Sequence, residues 1–142
     1  MPSTVAVPGD AAAVSVTQDG AHALDFRAAD VAQNVAAAQT VAIRIDRVPP
    51  KVTLSVTPTT LKLNNKLQAV GVGGSATDST SGVASTVITV TDRFGAVIAS
   101  NVRFGSTVSL LASKNQVYTF TAIATDVAGN ASAPVTATVT VK

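Results

Sequence analysis

Four oxygen-bearing side chains of this sequence stand where chemistry could take place: Asp46, Asp78, Asp126 and Asn130. Asp46 comes shortly before a Pro-Pro pair, Asp78 opens a run of turn-forming residues, and Asp126 and Asn130 bracket a third turn. Carboxylate and amide oxygens from several loops suit a hard cation such as Ca²⁺. The same residue types more commonly cap tight turns by accepting hydrogen bonds from backbone amides. A calcium site and purely structural turns therefore both remain open.

The chain contains nearly the same segment twice. Residues 28–34 reappear at 124–130, an offset of 126 − 30 = 96 positions. A period of about 100 residues is the size of one β-sandwich domain rather than of a solenoid repeat. We therefore predict the C-terminal half of one module at residues 1–48 and a complete module at residues 49–142.

Composition leaves few catalytic options. The sequence has no Cys, and His22 is its only histidine. Thiolate nucleophiles and Cys-based zinc sites are therefore excluded. In the repeat His22 corresponds to Tyr118, a replacement that a catalytic base would not tolerate. We expect a packing or strand-edge role for His22, and we expect that the protein is not an enzyme.

Charge and hydropathy exclude two further classes of partner. The net charge is +2, the Lys and Arg residues form no stripe, and one Tyr and four Phe offer no stacking platform for nucleic acid. Mean hydropathy is +0.39, but no run of about 20 apolar residues exists, which excludes a transmembrane helix. We expect no nucleic-acid partner, no membrane insertion and no signal sequence in this stretch.

Alternating Val and Thr residues predict an all-β fold without helices. In the predicted strand 116–126, Tyr118, Phe120, Ala122 and Ala124 share one face. Two antiparallel sheets packed face to face are the simplest way to bury one face of each strand. The other predicted strands of the complete module are 51–57 with its continuation 61–63, 67–76, 83–91, 96–100, 106–111 and 135–142.

The predicted partial module contains only the later strands of a sandwich. Without an opposing sheet, such a short segment is rarely stable by itself. Three outcomes are open: it packs against the complete module, it pairs with another chain, or it is disordered.

Several motifs resemble the tandem bacterial immunoglobulin-like (Big-type) modules of large surface and secreted adhesin-like proteins. In that family a strand ends in a Thr-Asp-x-Ala-Gly-Asn turn, which residues 125–130 match fully, whereas the first copy has Gln33 in place of Gly. The family linker resembles residues 46–50, and residues 78–83 resemble its Asp-x-x-Ser-Gly-Val loop. The resemblance covers almost all of the chain.

This resemblance implies an immunoglobulin-like antiparallel β-sandwich in which Asp46, Asp78, Asp126 and Asn130 converge at the module junction. Some similar adhesins stiffen such junctions with calcium, and the resemblance implies no other cofactor. It also implies a structural spacer, stalk or adhesion module of an extracellular or cell-surface bacterial multidomain protein. The expected partners are neighbouring modules of the same chain and a host or polymer surface. The alternative is a carbohydrate-binding accessory module of a secreted hydrolase, which normally needs a row of Trp or Tyr residues that this chain lacks.

Overall fold

The alternation of apolar and polar residues produces strands in the part of the chain that the structure describes. The computed structural model describes residues 13–142, and these residues contain ten β-strands and no helix. No segment among them is a helix long and apolar enough to cross a membrane. The strands are β1 (Gly20–Phe26), β2 (Gln39–Ile45), β3 (Lys51–Thr57), β4 (Thr60–Leu61), β5 (Leu67–Thr77), β6 (Val83–Thr91), β7 (Val97–Val102), β8 (Thr107–Leu111), β9 (Val117–Asp126) and β10 (Val135–Val141).

The chain divides into two compact units, of which the first ends at Ile45 and the second comprises Asp46–Lys142. We call them the hairpin unit, described from residue 13, and the sandwich unit. Residues 1–12, which belong to the predicted partial module, lie outside the described residues.

The sandwich unit consists of two sheets. Three antiparallel strands form one sheet in the order β3-β5-β8, and five strands form the other in the order β4-β10-β9-β6-β7. All pairings are antiparallel except that of β4 with β10, which is parallel. The prediction of an all-β sandwich is confirmed.

Inward-facing side chains of both sheets form one core. Phe120 is its largest fully buried residue, and the predicted inner face of β9 is buried from Tyr118 to Ala124. Because every second residue of a strand points to the same face, the period of two in the sequence becomes a buried layer. The core consists of Val56, Leu61, Val70, Val72, Ile88, Val90, Leu110, Ala112, Tyr118, Phe120, Ala122 and Val139.

One predicted strand lies in a different sheet from the one expected. The segment beginning at Leu61 was predicted to continue the first strand, but Thr60 and Leu61 pair with β10 in the opposite sheet. Pro58 ends β3 because it has no backbone N–H to donate to a ladder. The chain then crosses to the other layer, where Leu61 is 1% exposed.

The hairpin unit contains β1 and β2, which pair antiparallel from Gly20↔Ile45 to Phe26↔Gln39. A turn closed by the hydrogen bond from Gln33 N to Asp30 O lies between them (2.9 Å). Gln33 adopts a φ of 68°, where the second copy has Gly129 at 95°. The departure from Gly at this position therefore leaves the left-handed turn intact.

Candidate functional site

Three chain segments converge at one end of the sandwich unit. Asp46 precedes β3, Asp78 directly follows β5, and Asp126 ends β9. The pairing of Lys51 with Thr77 places the start of β3 beside the end of β5. The pairing of Val83 with Asp126 likewise places the loop after β5 beside the end of β9. The structure thus brings together the three aspartates that the sequence singled out.

One carboxylate oxygen from each of Asp46, Asp78 and Asp126 lies within 4.8 Å of the others. Oxygen ligands stand about 2.3–2.6 Å from Ca²⁺, so two ligands on opposite sides of the ion are roughly 5 Å apart. The spacing therefore fits oxygens that surround a single calcium ion. Asp126 is 2% exposed, and the other two are half-buried.

Asp78 organises the loop that follows β5. Its Oδ1 accepts hydrogen bonds from the backbone N–H groups of Thr80 (3.1 Å), Ser81 (2.9 Å) and Gly82 (2.8 Å). All three of these donors reach the same oxygen, Oδ1. Asp78 thus caps the turn through one of its two carboxylate oxygens.

Asp126 and Asn130 close the turn between β9 and β10. Asp126 Oδ1 accepts from Asn130 N (2.7 Å), and its Oδ2 accepts from Asn130 Nδ2 (2.8 Å). Asn130 Nδ2 also donates to the backbone carbonyl of Asp46 (3.0 Å). Asn130 therefore acts as a donor that ties Asp126 to the segment before β3.

Asp46 joins this segment to the loop after β5. Its Oδ2 accepts from Ser81 N (3.0 Å) and its Oδ1 from Val48 N (3.0 Å). The neighbouring Ser81 side chain, followed by the Val48 amide, lowers the pKa of Asp46 from its ordinary value. These donors keep the carboxyl group charged, although two other carboxylates lie close to it.

Ser81 is a member of the cluster that sequence reasoning missed. Its amide bridges Asp46 and Asp78, and its Oγ is a buried atom that makes no hydrogen bond of standard geometry with the described residues. The hydroxyl lies beside the Asp46 carboxylate, whose pKa it lowers, so Ser81 belongs to the same polar cluster as the three aspartates. The sequence feature that could have identified Ser81 is its position as the Ser of the Asp-x-x-Ser-Gly-Val motif at residues 78–83.

Acid is expected to remove the contribution of Asp46 to stability. Because its folded-state pKa is depressed below 3.8, the contribution is complete above that value and is lost as the pH falls through the folded-state pKa. The difference in unfolding free energy between the protein and its Asp46→Asn variant should be constant near neutral pH and disappear in strong acid. Urea titrations at several pH values measure it. A difference that persists at the acid end would contradict this assignment.

Removing the buried carboxylate of Asp126 is expected to destabilise the sandwich unit. Asp126→Ala leaves two donors of Asn130 without their acceptor, at a cost of about 2–3 kcal/mol for hydrogen bonds to a charged group. The matched variant Asp126→Asn keeps one acceptor oxygen and relieves repulsion within the cluster, so it should lose less than half as much. Urea midpoints provide the comparison. Equal urea midpoints for Asp126→Ala and the unaltered protein would show that the hydrogen bonds of this turn do not contribute to the stability of the sandwich unit.

Comparison with protein-family models finds no match to this chain. A search of curated proteins finds no match either.

Proposed function

We propose that this chain is a non-catalytic spacer or stalk module of an extracellular bacterial multidomain protein, of the immunoglobulin-like class that adhesin-like proteins use. The observation that carries the proposal is the position of the two ends of the sandwich unit. Its first strand starts beside Thr77, whereas Val141 N donates to Gln116 O, at the start of β9. A strand of ten residues at about 3.3 Å per residue separates these ends by roughly 30 Å.

Modules with ends so placed extend a polypeptide when they follow one another. Each module adds its own length to the chain, which is the physical task of a stalk. The sheet orders β3-β5-β8 and β4-β10-β9-β6-β7 are compatible with an immunoglobulin-like topology. Residues 46–50, which the sequence resemblance interprets as a linker, contain two consecutive prolines, and proline stiffens such a segment.

The connection between β4 and β10 is suited to resist tension. Three backbone hydrogen bonds link their segments: Thr140 N to Thr59 O (3.0 Å), Lys142 N to Leu61 O (3.0 Å) and Leu63 N to Lys142 O (2.8 Å). The strands are parallel, so pulling the chain at its two ends slides them in opposite directions. The three bonds then carry the load together instead of opening one after another.

Single-molecule pulling of the full chain tests this function. Leu63→Pro removes one of the three donors and should lower the unfolding force of the sandwich unit by about a third. Leu63→Ala keeps the N–H and is the matched control, because Leu63 is already 43% exposed and loses little packing. If Leu63→Pro and the unaltered protein unfold at the same force, this connection does not bear load and the proposal loses its support.

A glycan array separates this proposal from the carbohydrate-binding alternative. The only Tyr of the chain, Tyr118, is 4% exposed and cannot stack on a sugar ring. We expect the full chain to bind no glycan of the array. Binding to a polysaccharide at micromolar affinity would favour the accessory module over the spacer.

Calcium binding by Asp46, Asp78 and Asp126, with Asn130 in support, stays a prediction. The spacing of the three carboxylates favours it. Titration calorimetry with CaCl₂ should show binding heat, and EDTA should lower the melting temperature of the sandwich unit. The variant Asp78→Asn keeps the Oδ1 that caps the loop but removes the negative charge, so it should abolish the heat. If the unaltered protein shows no binding heat and its melting temperature does not respond to EDTA, the calcium site is rejected. The aspartates then serve only to cap their turns.

A further inference from the structure

The five-stranded sheet carries threonines at matching positions of three neighbouring strands. β10, β9 and β6 each contain a Thr-x-Thr segment, at residues 136–138, 119–121 and 89–91. The strand registers align these segments into two rows of three. We call them the threonine array: one row is Thr136, Thr121 and Thr89, and the other is Thr138, Thr119 and Thr91.

The threonine array lies on the outer face of this sheet. The middle residue of each segment, Ala137, Phe120 or Val90, belongs to the core or packs against it. Since successive side chains of a strand point to opposite faces, the threonines point away from the core. Thr136 and Thr138 are exposed, and the other four are half-buried. The array therefore lies along the side of the sandwich unit rather than at one of its ends.

The hydroxyl groups of the array are free to bind water. None of the six makes a hydrogen bond within the part of the chain that the structure describes. On the outer face of the other sheet, by contrast, Thr53 Oγ1 pairs with Ser75 Oγ (3.1 Å).

The strands that carry the array are also nearly free of charge. β6, β9 and β10 contain a single charged residue, Asp126, which is buried at the end of β9. In an ordinary soluble domain about 25% of the residues are charged. The face of the array thus presents hydroxyl and methyl groups to the solvent without any ammonium, guanidinium or carboxylate group among them.

The array repeats regularly in two directions. Neighbouring strands lie about 4.7–4.9 Å apart, and every second residue of a strand lies about 6.7 Å further along it. Water oxygens on the prism faces of hexagonal ice repeat in two perpendicular directions at distances close to these two. Sheet twist turns neighbouring strands relative to one another, so the match extends over a patch of this size and not over a wide sheet.

We propose that the threonine array binds the surface of ice. Each hydroxyl group donates one hydrogen bond and accepts two, and the methyl group beside it restricts the orientation of the nearest water molecules. The β-branched side chain is stiff at χ1, which keeps both groups in place. Water held by the six side chains then continues into the ice lattice. A crystalline polysaccharide fits this face less well, because sugar rings are recognised by aromatic side chains, and the outward positions of the three strands carry none.

Ice recrystallisation in thin frozen films of the full chain tests the proposal. The unaltered chain should keep the mean area of the ice grains at least fivefold smaller than buffer does, and it should shape a single growing crystal into facets. Thr121→Lys places a strongly hydrated charge in the centre of one row and should remove at least four-fifths of this inhibition. The matched control is Thr107→Lys, which adds the same charge at an exposed position of β8 in the other sheet. It should change the inhibition less than twofold.

A second variant covers the case in which Thr121→Lys fails to fold, which its urea midpoint reveals. Thr138→Lys changes an exposed residue of the other row and should also remove most of the inhibition. Grains as large with the unaltered chain as in buffer would overturn the proposal, and so would equal losses for the array variants and Thr107→Lys. A dimer in solution that Thr138→Lys dissociates would overturn it as well, because a second copy would then cover the array.

Discussion

Replacing Phe120 by alanine should lower the unfolding free energy of the sandwich unit by about 3–5 kcal/mol. Phe120 lies in β9, and it is the largest fully buried side chain of the core. The change removes apolar surface from the core and leaves a cavity that two packed sheets cannot close. Small domains have only about 5–15 kcal/mol of total stability, so the variant should be close to unfolding at room temperature.

Tyrosine fluorescence measures this effect directly. Tyr118 is the only tyrosine and the chain has no Trp, so the signal in a urea titration reports on the sandwich unit alone. Phe94→Ala is the matched control, because Phe94 is 74% exposed on the turn after β6. It should change the unfolding free energy by less than about 0.5 kcal/mol. Equal losses for the two variants would mean that the two sheets do not enclose Phe120.

A methyl group at Gly74 should cost the sandwich unit about 3 kcal/mol. Gly74 has a φ of 139°, a region that L-residues rarely adopt. An added Cβ would collide with the Thr53 carbonyl and stand 2.7 Å from Cε1 of Phe104. Strain at such a φ and overpacking each cost about 1–3 kcal/mol. The added methyl group incurs both costs, and it can be accommodated only if β3 moves away from β5.

Gly71→Ala is the internal control for this substitution. Gly71 lies on the same strand, but its added Cβ would meet only Thr57 O, at an ordinary contact distance of 3.5 Å. We expect its unfolding free energy, measured by urea titration, to change by less than about 1 kcal/mol. If Gly74→Ala were tolerated as well as Gly71→Ala, the close approach of β5 to Thr53 would not be required for the fold.

The strands of residues 49–142 could be predicted because their signal is local. Alternation of apolar and polar residues is a property of neighbouring positions, so β9 and β10 were placed within one residue of their observed bounds. The same alternation identified the buried face from Tyr118 to Ala124. Turn-forming residues marked the ends, as at Asp92, whose Oδ1 accepts from Phe94 N (2.8 Å) and Ala96 N (2.9 Å).

Pairing between distant strands was harder to predict, since it depends on contacts that no local pattern records. Thr60 and Leu61 carry the same alternation whether they extend β3 or join β10, and only the parallel pairing decides between the two sheets. Gly74 likewise looks like any strand glycine until the Thr53 carbonyl lies against it.

The candidate site, too, could be predicted only in part from the sequence. The sequence by itself determined which side chains could act there, because Asp and Asn at turns offer oxygens that accept hydrogen bonds or bind a cation. It also determined the repeated hairpin, through nearly the same residues at a fixed offset. Only the tertiary structure decided that oxygens of Asp46, Asp78 and Asp126 lie within 4.8 Å of one another, and that Ser81 joins them. The physical reason is that residue type is encoded locally, whereas the meeting of three loops follows from how two sheets stack and which strands they place side by side.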